Sequence, residues 1–286
     1  MLRVAGLTLV AMLAFAANSV LARLALAAGD ADALGYTGIR IAAGAITLAG
    51  LLALRERPGL SLGGSWRGAG ALLAYAVAFS VAYLMLNAGA GALILFASVQ
   101  VGMLAWALRM GDRPGRLEWL GLAVAFAGLV FLMSPGLAAP HPLGAALMAV
   151  AGLSWAAYSL LGRGSGRPLA DTAGNFVRCL PAAMALALAG VAIQPPSLAG
   201  VAYAVASGAV ASGIGYAIWY AALPGLSRSA AAFVQLTVPA IAAAGGVLFL
   251  QEPMTARLVL ASAGILGGVA LALFAAERRR MRSSKD

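Results

Sequence analysis

Residues 143–161 read LGAALMAVAGLSWAAYSLL, a stretch without a single charged residue. A helix needs roughly 20 mostly apolar residues to cross the hydrocarbon of a bilayer, and this stretch has about that length. A strand of a membrane barrel would instead alternate polar and apolar residues over about 10 positions. The alternation is missing here, so the stretch predicts a membrane-spanning helix.

The whole chain has the same character. Its 286 residues are 63% hydrophobic and 10% charged, with a mean hydropathy of +0.95, and a soluble domain of this size could not bury so much apolar surface. Residues 1–28 resemble a signal peptide but are assigned to the first span. Breaks at Gly, Pro and Arg predict ten helices, at 4–28, 34–54, 66–87, 92–109, 117–134, 143–162, 172–193, 197–222, 228–250 and 255–276.

Basic residues orient these spans. With both termini in the cytoplasm, all Lys and Arg residues lie on the cytoplasmic side except Arg23 and Arg257, outside, and Arg40 and Arg178, within spans. This asymmetry is typical of a multi-pass protein of the bacterial inner membrane. It also accounts for the formal charge of +10 without a nucleic-acid partner.

The opening stretch also belongs to a repeat. At an offset of 140, LSWAAYSLLGR at 153–163 lies over LAFAANSVLAR at 13–23 with six identities, and Asp112 lies over Glu252. We therefore divide the chain into a first repeat at 1–138, a second at 139–276 and a basic cytoplasmic tail at 277–286. Five spans per repeat make the second repeat inverted, as in many secondary transporters, whose solute site lies between the halves.

Residues that carry enzyme chemistry are scarce in the predicted spans. Every carboxylate falls in a loop, a tail or a helix end, and an intramembrane carboxylate is the usual counter-ion for a cationic solute and the usual proton relay. The single histidine, His141, is expected in a solvated loop, and Cys179 is the single cysteine. We predict no cofactor, no metal and no catalytic residues.

The polar groups inside the spans are neutral and partly aromatic. In lipid such groups need a partner or a water-lined cavity, and hydroxyls, amides and rings suit a small amphiphile or zwitterion. Bridging between helices is the alternative role for each of them. The candidates for a solute cavity are Asn18, Ser80, Tyr83, Gln100, Trp155, Tyr158, Ser212, Tyr216, Trp219, Tyr220 and Gln235.

Three further residues have gating or structural roles in this interpretation. Pro239, like Pro181, is expected to bend its helix. Arg40 and Arg178 lie about six residues inside their spans, and we expect them to snorkel to the headgroups. A gate contact or an anion site is the alternative.

The stretch from Pro239 to Pro253, PAIAAAGGVLFLQEP, followed by Gly264, Gly267 and Gly268, resembles the end of an EamA repeat in the drug/metabolite transporter superfamily. The first repeat contains a less similar copy of this stretch, in which Val99 takes the position of Pro239 and Asp112 that of Glu252. The resemblance implies a ten-helix inverted-repeat transporter with a central cavity, and among bacterial members the chain resembles amino-acid exporters of the YddG type.

These patterns predict an alternating-access exporter or facilitator of small neutral or zwitterionic metabolites, above all amino acids with apolar or aromatic side chains. One alternative is a carrier of anionic metabolites such as sugar phosphates, for which Arg40 and Arg178 would face the cavity. Another, of a different class, is a membrane-embedded enzyme. The expected partners are a small-molecule solute and the lipid bilayer, with the oligomeric state left open.

Overall fold

The computed structural model describes residues 2–55, 62–111, 114–134, 139–226 and 228–283, and in these ranges all regular secondary structure is helical. The helices are α1 (Leu2–Ala27), α2 (Ala33–Arg55), α3 (Trp66–Ala82), α4 (Ala88–Arg109), α5 (Arg116–Met133), α6 (Pro142–Leu161), α7 (Pro168–Arg178), α8 (Leu180–Ile193), α9 (Leu198–Val205), a π-helix (Ala206–Ile214), α10 (Gly215–Ala222), a 3₁₀ turn (Leu223–Gly225), α11 (Arg228–Gln235), α12 (Thr237–Leu250) and α13 (Ala256–Ser283). The predicted all-α membrane fold is confirmed.

The helices account for all ten predicted spans. In the described part of the chain, eight segments are long and apolar enough to cross a membrane, and the bent pair α7–α8 makes a ninth. The shorter apolar helix α3 occupies the third predicted span and ends five residues earlier than expected. We number the spans 1 to 10, where α7–α8 is span 7, α9–π–α10 is span 8, α11–α12 is span 9 and α13 is span 10.

Proline explains two of the breaks inside spans. It has no N–H to offer the carbonyl four residues earlier, and its ring clashes with that carbonyl. Pro239 follows the end of α11 at Gln235 by four residues, and Pro181 follows the 47° bend between α7 and α8 by two. The 47° bend agrees with the expectation for Pro181, whereas at Pro239 the structure shows a break in the helix and the bend stays a prediction.

The packing repeats with a period of five spans. When five is added to both numbers of a packed pair, with counting continued from 1 after 10, the result is again a packed pair. Span 3 packs on span 6 and span 1 on span 8, span 4 packs on span 6 and span 1 on span 9, and spans 2 and 7, 4 and 9, and 5 and 10 pack on each other. Two equivalent halves of five spans would produce this pairing. The division at residue 138 itself stays a prediction.

Backbone hydrogen bonds made by the connecting loops identify the two ends of the bundle. Ser197 N donates to Asp30 O at 2.8 Å, which joins the turn after α1 to the turn after α8. At the other end, Gly63 N donates to Ala170 O at 3.2 Å. We call the first end the predicted outer face and the second, which carries the N-terminus, the predicted inner face. His141 is exposed at the start of α6 and accepts from Gly144 N.

Spans 5 and 10 approach closely because both present glycine at their crossing. A Cβ added to Gly268 would lie 2.5 Å from both Gly121 O and Ala125 N, whereas one added to Gly267 would meet nothing within 4 Å. We expect Gly268→Ala to cost about 1–3 kcal/mol of stability through overpacking, with Gly267→Ala close to neutral. Thermal unfolding in detergent checks this, and equal melting temperatures for the two variants would contradict the packing.

Candidate functional site

Aromatic rings from five spans meet in the interior of the bundle. Trp155 of span 6 is central: its ring centroid lies 4.9 Å from that of Tyr75, 5.2 Å from that of Tyr158 and 5.6 Å from that of Tyr216, the last pair stacked at 18°. The seven rings form what we call the aromatic cluster: Phe15, Tyr75, Trp155, Tyr158, Phe176, Tyr216 and Tyr220.

A hydroxyl network closes the side of the cluster formed by spans 6, 7 and 8. The Tyr158 hydroxyl donates to Thr172 Oγ1 at 3.3 Å, and Thr172 Oγ1 shares a hydrogen bond of 2.8 Å with the Tyr220 hydroxyl. Thr172 lies in the first turns of α7, at the predicted inner end of span 7. These bonds hold two rings of the cluster in place.

Asn18 of span 1 binds the π-helix of span 8. Its Oδ1 accepts from Ser207 Oγ at 2.7 Å and from Ser212 Oγ at 3.3 Å, and all three residues are buried. Residues five apart share a face in a π-helix, which is wound with i→i+5 hydrogen bonds, but not in an α-helix with 3.6 residues per turn. The π-helix is therefore what allows two serines to reach one amide.

Arg40 of span 2 is buried beside the aromatic cluster, with 3% of the residue exposed. Its Nη2 donates to the Tyr75 hydroxyl at 3.2 Å, and its guanidinium carbon lies 4.9 Å from the Phe79 ring centroid. The expectation that Arg40 snorkels to the headgroups is wrong. Span 2 is packed between spans 7 and 8, so the side chain is directed to rings that attract a cation through their faces.

A second polar cluster, at the predicted outer face, contains the one acidic residue of the PAIAAAGGVLFLQEP motif. Glu252 Oε1 accepts from Arg23 Nε at 3.0 Å, and Glu252 Oε2 accepts from Ala88 N at 2.8 Å, at the start of α4. Arg23 Nη1 also donates to Tyr83 O at 2.8 Å, at the end of α3. These bonds, the outer clamp, join spans 1, 3 and 4 to the loop after span 9.

The remaining cavity candidates lie outside the aromatic cluster. Ser80 donates to Ala76 O of its own helix. The Tyr83 hydroxyl donates to the carbonyl oxygen of Ala88, the residue whose N–H is part of the outer clamp. Gln235 donates to Ala231 O within span 9. Trp219 contacts Phe15 at 5.9 Å but packs on spans 1 and 9. Among the contacts of the described residues, none joins the half-buried Gln100 to the cluster.

Arg178 occupies a different environment from Arg40. Its Nη1 donates to Gly63 O at 2.5 Å and to Gly174 O at 2.9 Å, so it fixes the inner loop before span 3 to the end of α7. Pro239 is buried at the start of α12. Asp112, which the repeat aligns with Glu252, lies outside the described residues.

Several site residues were not among the sequence candidates. Tyr75 and Phe79, with the candidate Tyr83, lie four apart on one face of span 3, a spacing that could have found them. Ser207 pairs with Ser212 only through the π-helix, which the sequence does not indicate. Thr172 shows no pattern of its own.

Comparison with known proteins agrees with this architecture. The profile of the EamA-like transporter family matches residues 142–274. The chain is 52% identical over 267 residues to "Uncharacterized protein PA1977" of Pseudomonas aeruginosa, covering 93% of each. It is 31% identical over 100 residues to the "Uncharacterized inner membrane transporter YedA" of Escherichia coli, which is 35% of this chain and 32% of that protein. A crystal structure with 22% identity covers 96% of this chain with a TM-score of 0.67 and supports the fold.

The fold, with buried aromatic and polar groups between its spans, is that of a polytopic helical membrane protein, and the family match makes that protein a transporter. The chain belongs to the EamA-like transporter family, within the drug/metabolite transporters. A family of transporters leaves the membrane-enzyme alternative without support.

Proposed function

We propose that this transporter is an alternating-access exporter or facilitator of small neutral or zwitterionic metabolites in the bacterial inner membrane, with both termini cytoplasmic. Its foremost solutes are amino acids with apolar or aromatic side chains. The observation that carries the proposal is the aromatic cluster around Trp155, between spans of both predicted repeats. Rings there offer stacking surfaces to an apolar side chain and their faces to an ammonium group.

Alternating access is supported by contacts at both ends of the cluster. The outer clamp ties spans 1, 3 and 4 to the Glu252 loop, and the Thr172 network ties spans 6, 7 and 8 near the predicted inner face. Two inverted halves can open one end while the other stays closed. The packing of the spans, which repeats when five is added to both span numbers, supports two such halves.

The carrier of sugar phosphates is the weaker candidate. A phosphate group near neutral pH carries about −1.5 to −2 charges, and we would expect two cations at its site. Arg178 donates to the backbone of Gly63 and Gly174 instead, so of these two arginines Arg40 alone lies beside the aromatic cluster.

Flux into liposomes tests the proposal. Purified protein reconstituted with internal unlabelled solute should accelerate entry of labelled L-phenylalanine and L-methionine over empty liposomes. Glucose 6-phosphate should neither enter nor compete. A proton gradient applied to matched vesicles separates a coupled from a passive carrier. Entry of the sugar phosphate in preference to both amino acids would contradict the proposed solute class.

A further inference from the structure

One buried cationic group in the interior lacks a hydrogen-bond acceptor. Arg40 Nη1 makes no hydrogen bond, although the residue is 97% buried and its Nη2 is held by Tyr75. A buried donor that loses its partner costs about 1–3 kcal/mol, and more when it is charged. Such a group needs an explanation, and an acceptor supplied by a ligand is one.

A second donor without an acceptor lies one helical turn away. The Tyr36 hydroxyl is fully buried, four residues before Arg40 on span 2, and the two groups interact electrostatically. Ser207 lies beside it, but the two hydroxyls do not meet the geometry of a hydrogen bond. Residues four apart share a helix face, so span 2 presents two unused donors to one place.

The charge of Arg40 is also unbalanced. Glu252 pairs with Arg23, Glu118 pairs with Arg279, and no carboxylate of the described residues pairs with Arg40. Tyrosine hydroxyls and ring faces surround it instead. A buried charge without a counter-ion is costly, and a carboxylate would supply both the negative charge and two acceptor oxygens.

We infer that Arg40 and Tyr36 bind the carboxylate of the transported solute, an inference that rests on the proposed transport function and names its required group. Tyr75 joins the two parts of the site, since its hydroxyl accepts from Arg40 while its ring lies 4.9 Å from that of Trp155. The site therefore takes a carboxylate attached to an apolar or aromatic group. An ammonium group is accommodated but is not what the site selects.

Three solutes that share the phenylethyl skeleton distinguish the role of the carboxylate from that of the ammonium group. L-Phenylalanine has both charges, 3-phenylpropanoate has the carboxylate alone, and phenethylamine has the ammonium alone. Liposome flux of the wild type should be competed by the first two and not by the third. Tryptophan fluorescence of the detergent-solubilised protein gives a binding measurement that does not depend on transport, because Trp155 lies beside Tyr75.

Variants of the two donors complete the test. Arg40→Gln should weaken binding and flux of both carboxylates by roughly tenfold or more, and Arg40→Lys should recover part of the loss. Tyr36→Phe should raise the half-saturating concentration several-fold without lowering the melting temperature, because its hydroxyl has no partner to lose. Arg178→Gln removes the same charge elsewhere and should leave the preference for carboxylates over the amine unchanged.

Opposite results would overturn the inference. One such result is competition by phenethylamine equal to that by the two carboxylates. Another is wild-type affinity for 3-phenylpropanoate in Arg40→Gln. If that variant does not fold, wild-type affinity for 3-phenylpropanoate in Tyr36→Phe would also overturn the inference. Binding of 3-phenylpropanoate that depends on Arg40, with no flux of any solute, would support the carboxylate site and contradict the transport proposal. The two failures are therefore distinguishable.

Discussion

Glu252→Ala is expected to destabilise the protein by about 3 kcal/mol, because removing one partner of a buried ion pair leaves the other charge uncompensated. The side chains of Arg23 and Glu252 are 14% and 10% exposed, so little water is available to Arg23 in the variant. The first amide of α4 at Ala88 loses its acceptor as well. Unfolding in detergent gives the stability, and liposome flux should fall with it because the outer clamp no longer closes spans 1, 3 and 4.

A double-mutant cycle is the control for this effect. Arg23→Gln combined with Glu252→Gln removes both charges. We expect the double variant to lose less stability than the sum of the losses in Arg23→Gln alone and Glu252→Gln alone. Glu118→Ala provides a second comparison, since its partner Arg279 is 37% exposed and can be hydrated in the variant. Additive single effects, or an equal loss at Glu118, would show that the outer clamp is not a coupled unit.

Trp155→Ala is expected to reduce flux of L-phenylalanine by roughly tenfold or more. Aromatic contacts contribute about 0.5–1.5 kcal/mol each, and 1.4 kcal/mol corresponds to about tenfold in affinity. Trp155 contacts three rings, and its loss also frees Tyr75 and Tyr216 to move. Trp155→Phe should retain most of the flux because it keeps one ring at the centre of the cluster.

Trp106→Ala is the matched control for this substitution. Trp106 is 44% exposed on span 4 and contributes no ring to the aromatic cluster, so flux of L-phenylalanine should stay near that of the wild type. Flux of L-alanine, whose side chain gives rings little to stack on, should be less sensitive to Trp155→Ala. A loss that is the same for both solutes and both tryptophans would contradict a binding role for the cluster.

The sequence is a good guide to where the spans lie, since each is a long apolar run without the alternation of a barrel strand, and in lipid such a run satisfies its backbone hydrogen bonds as a helix. It also predicts the bend at Pro181, and the helix break before Pro239 has the same origin, because proline disrupts the helix at a fixed distance along the chain. The early end of α3 at Ala82 was not predicted. Apolar residues continue to Leu86, and hydrophobicity does not indicate that the Tyr83 carbonyl binds Arg23.

The site was predictable only in part. Trp155, Tyr158, Tyr216 and Tyr220 share spans and spacings that suggest one surface, and the structure brings them together. The position of the Arg40 side chain was not predictable. Whether it snorkels or is buried depends on which spans pack against span 2, and the sequence of span 2 does not contain that information.

The π-helix at Ala206–Ile214 has a consequence for reading related sequences. Each residue wound with i→i+5 bonds turns the chain less than an α-helical residue does, so the π-helix sets the angle at which α10 presents Tyr216 and Tyr220 to Trp155. Loss of one residue from this segment would rotate both tyrosines without altering their identity. In an alignment, a single-residue gap at 206–214 therefore marks a change in the site as surely as a substitution of tyrosine.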